Sequence, residues 1–176
     1  MERRDIDQVT LELTVGDITA QDDLDAVVNA ANAQLRTGGG VAGAIHAAAG
    51  PGLAEECAPL APIEPGQAVI TSGHGLPNPH VIHVLGPVYG RDEPADRLLA
   101  RCYTQALARA EEAGLRSVGF PAISTGAFGY PLDDAAAVAV DAVRGAVDAL
   151  GTVRLVRFVL FDERALEAHR RALPPG

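Results

Sequence analysis

The strongest constraint on this chain is a pair of glycine-bearing loops, each lying between an apolar, strand-like run and the start of a helix. The first reads Asn29-Ala30-Ala31-Asn32, then Thr37-Gly38-Gly39-Gly40-Val41-Ala42-Gly43-Ala44-Ile45-His46. The second reads Pro121-Ala122-Ile123-Ser124-Thr125-Gly126-Ala127-Phe128-Gly129-Tyr130-Pro131. Glycine lets a backbone turn tightly and approach a ligand closely. A helix start presents unpaired N–H groups and the positive end of the helix dipole, which suits an anion. One such loop is an ordinary connection. Two of them, at the carboxyl ends of strands in an α/β sheet, point to a site that grips a diphosphate from both sides.

The rest of the chain supplies that sheet. Val9–Val15 alternates apolar and polar residues, as a strand with one wet face does. Ala26–Asn29, Ala68–Thr71, His80–Leu85, Ser117–Pro121 and Arg154–Phe161 read as further strands, most of them buried. Helices are expected over 41–49, 53–58, 94–113, 131–150 and 163–173, with Pro131 in a first turn. Helices that alternate with buried strands predict one α/β domain over residues 1–176, with a mixed central sheet covered on both faces.

Composition narrows the function. A chain of 176 residues, 48% of them hydrophobic, carries a real core. Its net charge of −9 argues against a long nucleic-acid backbone as partner. All 14 basic residues are arginine, so a Schiff-base lysine and a P-loop lysine are excluded. Cys57 and Cys102 form no metal-ligand or redox spacing. His80 and His83 lie three apart in a strand, so their rings point to opposite faces and no metal site is expected. The start, Met1-Glu2-Arg3-Arg4-Asp5, lacks the apolar stretch of a signal peptide, and no run is long enough to span a bilayer. The expectation is a cytoplasmic monomer with no cofactor and no membrane partner.

Ordered motifs carry a resemblance that extends from about Val9 to Phe161. Val15-Gly16-Asp17-Ile18-Thr19, Asp25-Ala26-Val27-Val28-Asn29-Ala30-Ala31-Asn32 and the first glycine loop closely resemble macrodomains. So do Ala48-Ala49-Gly50-Pro51, His80-Val81-Ile82-His83 with Gly86-Pro87, and Ser124-Thr125-Gly126 with Gly129-Tyr130-Pro131. The resemblance implies a three-layer α/β/α fold that binds ADP-ribose in a cleft, and the chain looks most like the branch that removes ADP-ribose from proteins. By position, Asp17 would accept from the adenine amino group, with Ile18 beside it and Phe161 near the ring. Asn32 would hold the distal ribose. Gly39, Gly40 and Val41 would touch the diphosphate and distal ribose from one side. Ser124, Thr125, Gly126, Ala127, Phe128 and Gly129 would cradle the diphosphate from the other. Phe128 and Tyr130 would wall the distal ribose, and Asn32, Gly40 and Phe128 would surround the reacting carbon.

One position departs from that branch. Its members with the best-defined hydrolase mechanism carry Asp directly after Gly-Gly-Gly-Val, where this chain has Ala42. A methyl group neither takes a proton nor orients water. Three groups stand as replacements: the substrate's own phosphate, His46 one helical turn beyond Ala42, or Asp22, Asp23 or Asp25. The expected activity is hydrolysis of mono-ADP-ribose from protein side chains, most readily a Glu or Asp ester. The partners would be ADP-ribose and mono-ADP-ribosylated proteins, with nucleic acid only as a modified substrate. The rival readings are a non-catalytic ADP-ribose reader and an O-acetyl-ADP-ribose esterase. A nicotinamide-dependent oxidoreductase is disfavoured, since no G-x-G-x-x-G turn follows the first strand.

Overall fold

The computed structural model describes residues 1–175. Its strands are β1 (Glu2–Ile6), β2 (Val9–Val15), β3 (Ala26–Ala30), β4 (Ala68–Ser72), β5 (His80–Val84), β6 (Ser117–Phe120) and β7 (Leu155–Leu160). The helices are α1 (Gly40–Ala49), α2 (Pro51–Cys57), α3 (Ala95–Glu112), α4 (Leu132–Ala146) and α5 (Glu163–Ala172). The strands form one mixed sheet in the order β1-β2-β7-β6-β3-β5-β4. The five central strands run parallel, and β1 and β4 close the two edges antiparallel.

Strand alternation builds the layers. Leu11, Ile82, Val118 and Phe158 point to one face and pack with Leu99, Leu107, Val140 and Leu166 from α3, α4 and α5. Val27 and Val81 point to the other face and pack with Ile45 and Leu53 from α1 and α2. The result is the three-layer α/β/α arrangement expected from the sequence.

Three details differ from that expectation. β1 went unrecognised because Glu2-Arg3-Arg4-Asp5 carries almost no apolar signal, and a charged edge strand of this kind blocks edge-to-edge pairing. The polar face of β2 is not wet: Glu12 is 2% exposed. Its carboxylate accepts from Arg157 Nε at 2.9 Å and from Arg3 Nη2 at 2.6 Å. Pro131 is the N-cap of α4 rather than part of its first turn, and α4 gives way to a short 3₁₀ turn over Val147–Ala149.

Candidate ligand-binding site

Parallel strands bring their carboxyl ends to one edge of the sheet. Four of those ends carry site residues predicted from the sequence, in the spatial order β2, β7, β6, β3. β2 leads into Gly16 and Asp17, and β7 into Phe161. β6 leads into the second glycine loop, and β3 into Asn32 and the first glycine loop. Three strand spacings separate the outer two, about 14 Å. The chain leaving β3 enters α1 on one face, and the chain leaving β6 enters α4 on the other. The crevice between these neighbours is a topological switch point, the place where open α/β sheets bind ligands.

The second loop is shaped to expose donors. Ser124 adopts φ +66, and its hydroxyl donates to the Pro87 carbonyl at 2.8 Å. Gly86 permits that contact, because a Cβ there would lie 2.1 Å from Ser124 Oγ. Gly129, with φ +74, donates back to Gly126 O at 3.0 Å, and Tyr130 N–H donates to Ser124 O at 2.9 Å. Among the described residues, none of the backbone N–H groups from Ser124 to Phe128 is given to a protein acceptor. Successive free N–H groups in such a turn form an anion-binding nest. Ser124 therefore serves through its backbone, while its hydroxyl shapes the loop.

The first loop supplies the opposing donors. Gly39 caps α1 and Gly40 opens it with φ +58, leaving the N–H groups of Gly38 to Ala42 without acceptors among the described residues. Gly43 fits only as glycine, since a Cβ would lie 2.2 Å from Gly38 O. Asn32 anchors the approach: its Nδ2 donates to Arg36 O at 2.8 Å and its Oδ1 accepts from Arg36 N at 3.0 Å. One amide hydrogen and one lone pair of Asn32 stay free for a ligand.

At the β2 end, Asp17 is both a cap and an open acceptor. Its Oδ1 accepts from Thr19 N at 2.9 Å and Thr19 Oγ1 at 2.6 Å, which holds the carboxyl below its ordinary pKa and keeps it ionised. Oδ2 carries no protein hydrogen bond among the described residues. Ile18 is buried behind it. Phe161 is 91% exposed beside this turn, where Gly16 N–H donates to Leu160 O. Its place one residue past the end of β7 puts it on the surface.

Phe128 packs against the α1–α2 layer with Val41, whereas Tyr130 belongs to the α3–α4 layer and meets Tyr89 with ring centroids 4.8 Å apart and planes inclined at 56°. Of the aspartates offered in place of a carboxylate at 42, Asp25 precedes β3 and so sits at the opposite edge of the sheet. Its Oδ2 accepts from Arg116 N–H at 2.8 Å. Asp23 is held by Arg157 at 2.7 Å through both terminal nitrogens.

Beneath the first loop lies a buried polar cluster. Asn29 Nδ2 meets His83 Nδ1 at 3.0 Å, and His83 Nε2 meets Thr71 Oγ1 at 2.9 Å. Burial, reinforced by nearby His46, pushes the His83 pKa down to about 3, so the ring is neutral. His46 is 7% exposed, its pKa is lowered by burial, and its Nε2 has no partner among the described residues. No three His, Cys, Asp or Glu side chains converge as metal ligands among the described residues.

Sequence reading missed the support behind Asp17. Gln21 Nε2 donates to Asp17 O at 2.9 Å, and Gln21 Oε1 accepts from Arg157 at 3.0 Å. The available signal was Arg157 itself, a lone charge within an apolar strand, which must be paired if buried.

Fold and site define an α/β protein with a two-loop anion cleft at a topological switch point. The Macro domain family model matches residues 28–139. A macro domain-containing protein of Chlorobaculum tepidum is 44% identical over 171 residues, covering 97% of this chain and 99% of that protein. The solved Oceanobacillus iheyensis macrodomain with ADP superposes with a TM-score of 0.93 at 38% identity, over 97% of this chain and 93% of that one. The Trypanosoma brucei macrodomain in complex with ADP-ribose gives 0.86 at 38% identity, over 93% and 69%. The chain belongs to the macrodomain family.

Proposed function

We propose that this protein binds ADP-ribose and hydrolyses mono-ADP-ribose from protein side chains, with Glu or Asp esters as the preferred linkage. The observation that carries the binding half is the facing set of free N–H groups, Gly38 to Ala42 and Ser124 to Phe128, across the β3–β6 crevice. Donors of this kind hold a diphosphate without any matching cation. Macrodomains of the same fold have been solved with ADP and with ADP-ribose. In this reading the ligand lies along the strand ends with the polarity that the family resemblance implies: adenine at Asp17, Ile18 and Phe161, diphosphate on the second loop, distal ribose at Asn32, Gly40 and Phe128.

In the chemical step, water attacks the anomeric carbon of the distal ribose. The carbon–oxygen bond to the side chain breaks, the carboxylate leaves with the bonding pair, and the water's proton passes to a phosphate oxygen and then to solvent. A carboxylate is a good leaving group, so this linkage asks least of a site whose position 42 is a methyl. Asn32 and the loops hold water, phosphate and carbon in reacting geometry.

A second reading has its own support. Ala42 is 4% exposed and places no carboxylate near the first loop, as a non-catalytic reader would have it. Incubation with a protein carrying one ADP-ribose on Glu separates the two. The hydrolase releases free ADP-ribose above background, and Gly126→Glu abolishes that release, because the new side chain meets no protein atom but enters the nest with a repelling charge. Tight binding without release makes the protein a reader.

A further inference from the structure

A small acidic pocket lies on the outer side of the second glycine loop. Tyr89, Gly90, Glu93, Ala95, Asp96 and Tyr130 line a volume of about 350 Å³. It is tied to the cleft directly, since Tyr89 N–H donates to Phe128 O at 2.8 Å, and Phe128 stands at the distal-ribose end. Tyr130 is 5% exposed, yet its hydroxyl has no hydrogen-bond partner among the described residues. Glu93 and Asp96 line the pocket together with Tyr130, and burial and these nearby groups raise the pKa of the phenol. Tyr89 is 48% exposed and its ring meets that of Tyr130 at a tilt. Arg91 is 3.8 Å from Asp92 and does not line the pocket.

Two tyrosines with carboxylates around them form a receptor for a cation: the ring face attracts it, and the carboxylates and free phenol accept its N–H groups. We propose that this pocket receives an arginine or lysine side chain of the modified polypeptide, within about three residues of the ADP-ribosylated position. The inference rests on the reading of the cleft given above. The polypeptide leaves the cleft at the distal ribose, and the Tyr89–Phe128 hydrogen bond ties this pocket to that end. The pocket therefore sets which sequence contexts are recognised, while the cleft itself reads ADP-ribose alone.

The test uses short peptides that carry ADP-ribose on one side chain through a hydrolysis-resistant linkage. They are flanked by Arg, by Ala or by Glu, and calorimetry on the parent protein is run beside free ADP-ribose. The Arg-flanked peptide is expected to bind about five-fold tighter than the Ala-flanked one, with the Glu-flanked peptide weaker still. In Glu93→Gln/Asp96→Asn the preference falls to nearly one, while affinity for free ADP-ribose stays at the parent value. Tyr130→Phe, which keeps the packing and removes the hydroxyl, lowers the preference in part. A parent that binds ADP-ribose yet treats the three peptides alike overturns the pocket and leaves the cleft reading standing. So does a preference that survives the double substitution. A parent that fails to bind free ADP-ribose overturns both readings.

Discussion

A buried methyl at position 42, in the first turn of α1, stands where the resembled hydrolase branch carries a carboxylate. Ala42 joins neither apolar core layer, so its methyl fills space beside the loop rather than supporting the sheet. Asp25 is at the wrong edge of the sheet and Asp23 is committed to Arg157. His46 has an unpartnered Nε2, but burial makes it a weak base. These placements favour assistance by the substrate's phosphate. Restoring the carboxylate with Ala42→Asp places it in a helix first turn, where the dipole favours negative charge. A positioned general base contributes ~100-fold or more, so steady-state release should rise, by less than that because the diphosphate lies close. His46→Ala should lose activity only in proportion to its loss of stability. An Ala42→Asp protein that binds ADP-ribose normally but hydrolyses no faster, beside a folded and inactive His46→Ala, would move the proton chemistry to His46. The absence of Asp at 42 was plain in the sequence. The placement of its substitutes was not, because it depends on which strand end each residue occupies.

Among the elements, β7 does more than fill the sheet. Arg157 projects from it onto the face opposite Phe158. There it joins Glu12 of β2 to Asp23 and Gln21 of the loop that runs from Asp17 back to β3. These hydrogen bonds and charges raise the guanidinium pKa despite burial. Removing one partner of a buried pair leaves the other charge uncompensated, at a cost of about 3–5 kcal/mol. Arg157→Met should lower stability by about 3 kcal/mol in urea melts, since Arg3 still reaches Glu12. It should also weaken ADP-ribose binding by loosening the Gln21–Asp17 contact. Pairing it with Glu12→Leu should recover most of the stability and none of the affinity. A single variant as stable as the parent would show the network to be idle. Most strands and helices were legible from apolar periodicity. β1 was not, because its charged residues carry almost no apolar signal, and neither was the burial of Glu12, because its partner Arg157 lies far away in sequence and leaves no periodic trace.

For the whole molecule, three buried histidines make stability depend on pH. Burial lowers His83 to about 3, and it also lowers His46 and His169. In the unfolded chain histidine titrates near 6.5. Below that value the unfolded state binds protons that the folded state refuses, so stability is full above about pH 6.5 and falls as pH drops toward the folded pKa values. His83 alone contributes a slope of about 1.4 kcal/mol per pH unit in that window. Chemical denaturation between pH 7 and 4.5 should show the decline, and His83→Asn should make it shallower by about one proton. An unchanged slope in that variant would mean that His83 is charged in the folded protein.

The same whole-molecule geometry aligns four strand ends along one edge, and the central claim is that one ligand spans them. Calorimetric titration with ADP-ribose and with AMP tests this directly. AMP offers adenine and one phosphate to the Asp17–Phe161 end, but nothing to reach the first loop. The two-loop cleft predicts saturable one-to-one binding of ADP-ribose, with AMP at least about 100-fold weaker because it forfeits several hydrogen bonds to a charged group. Equal affinity for the two ligands would contradict it.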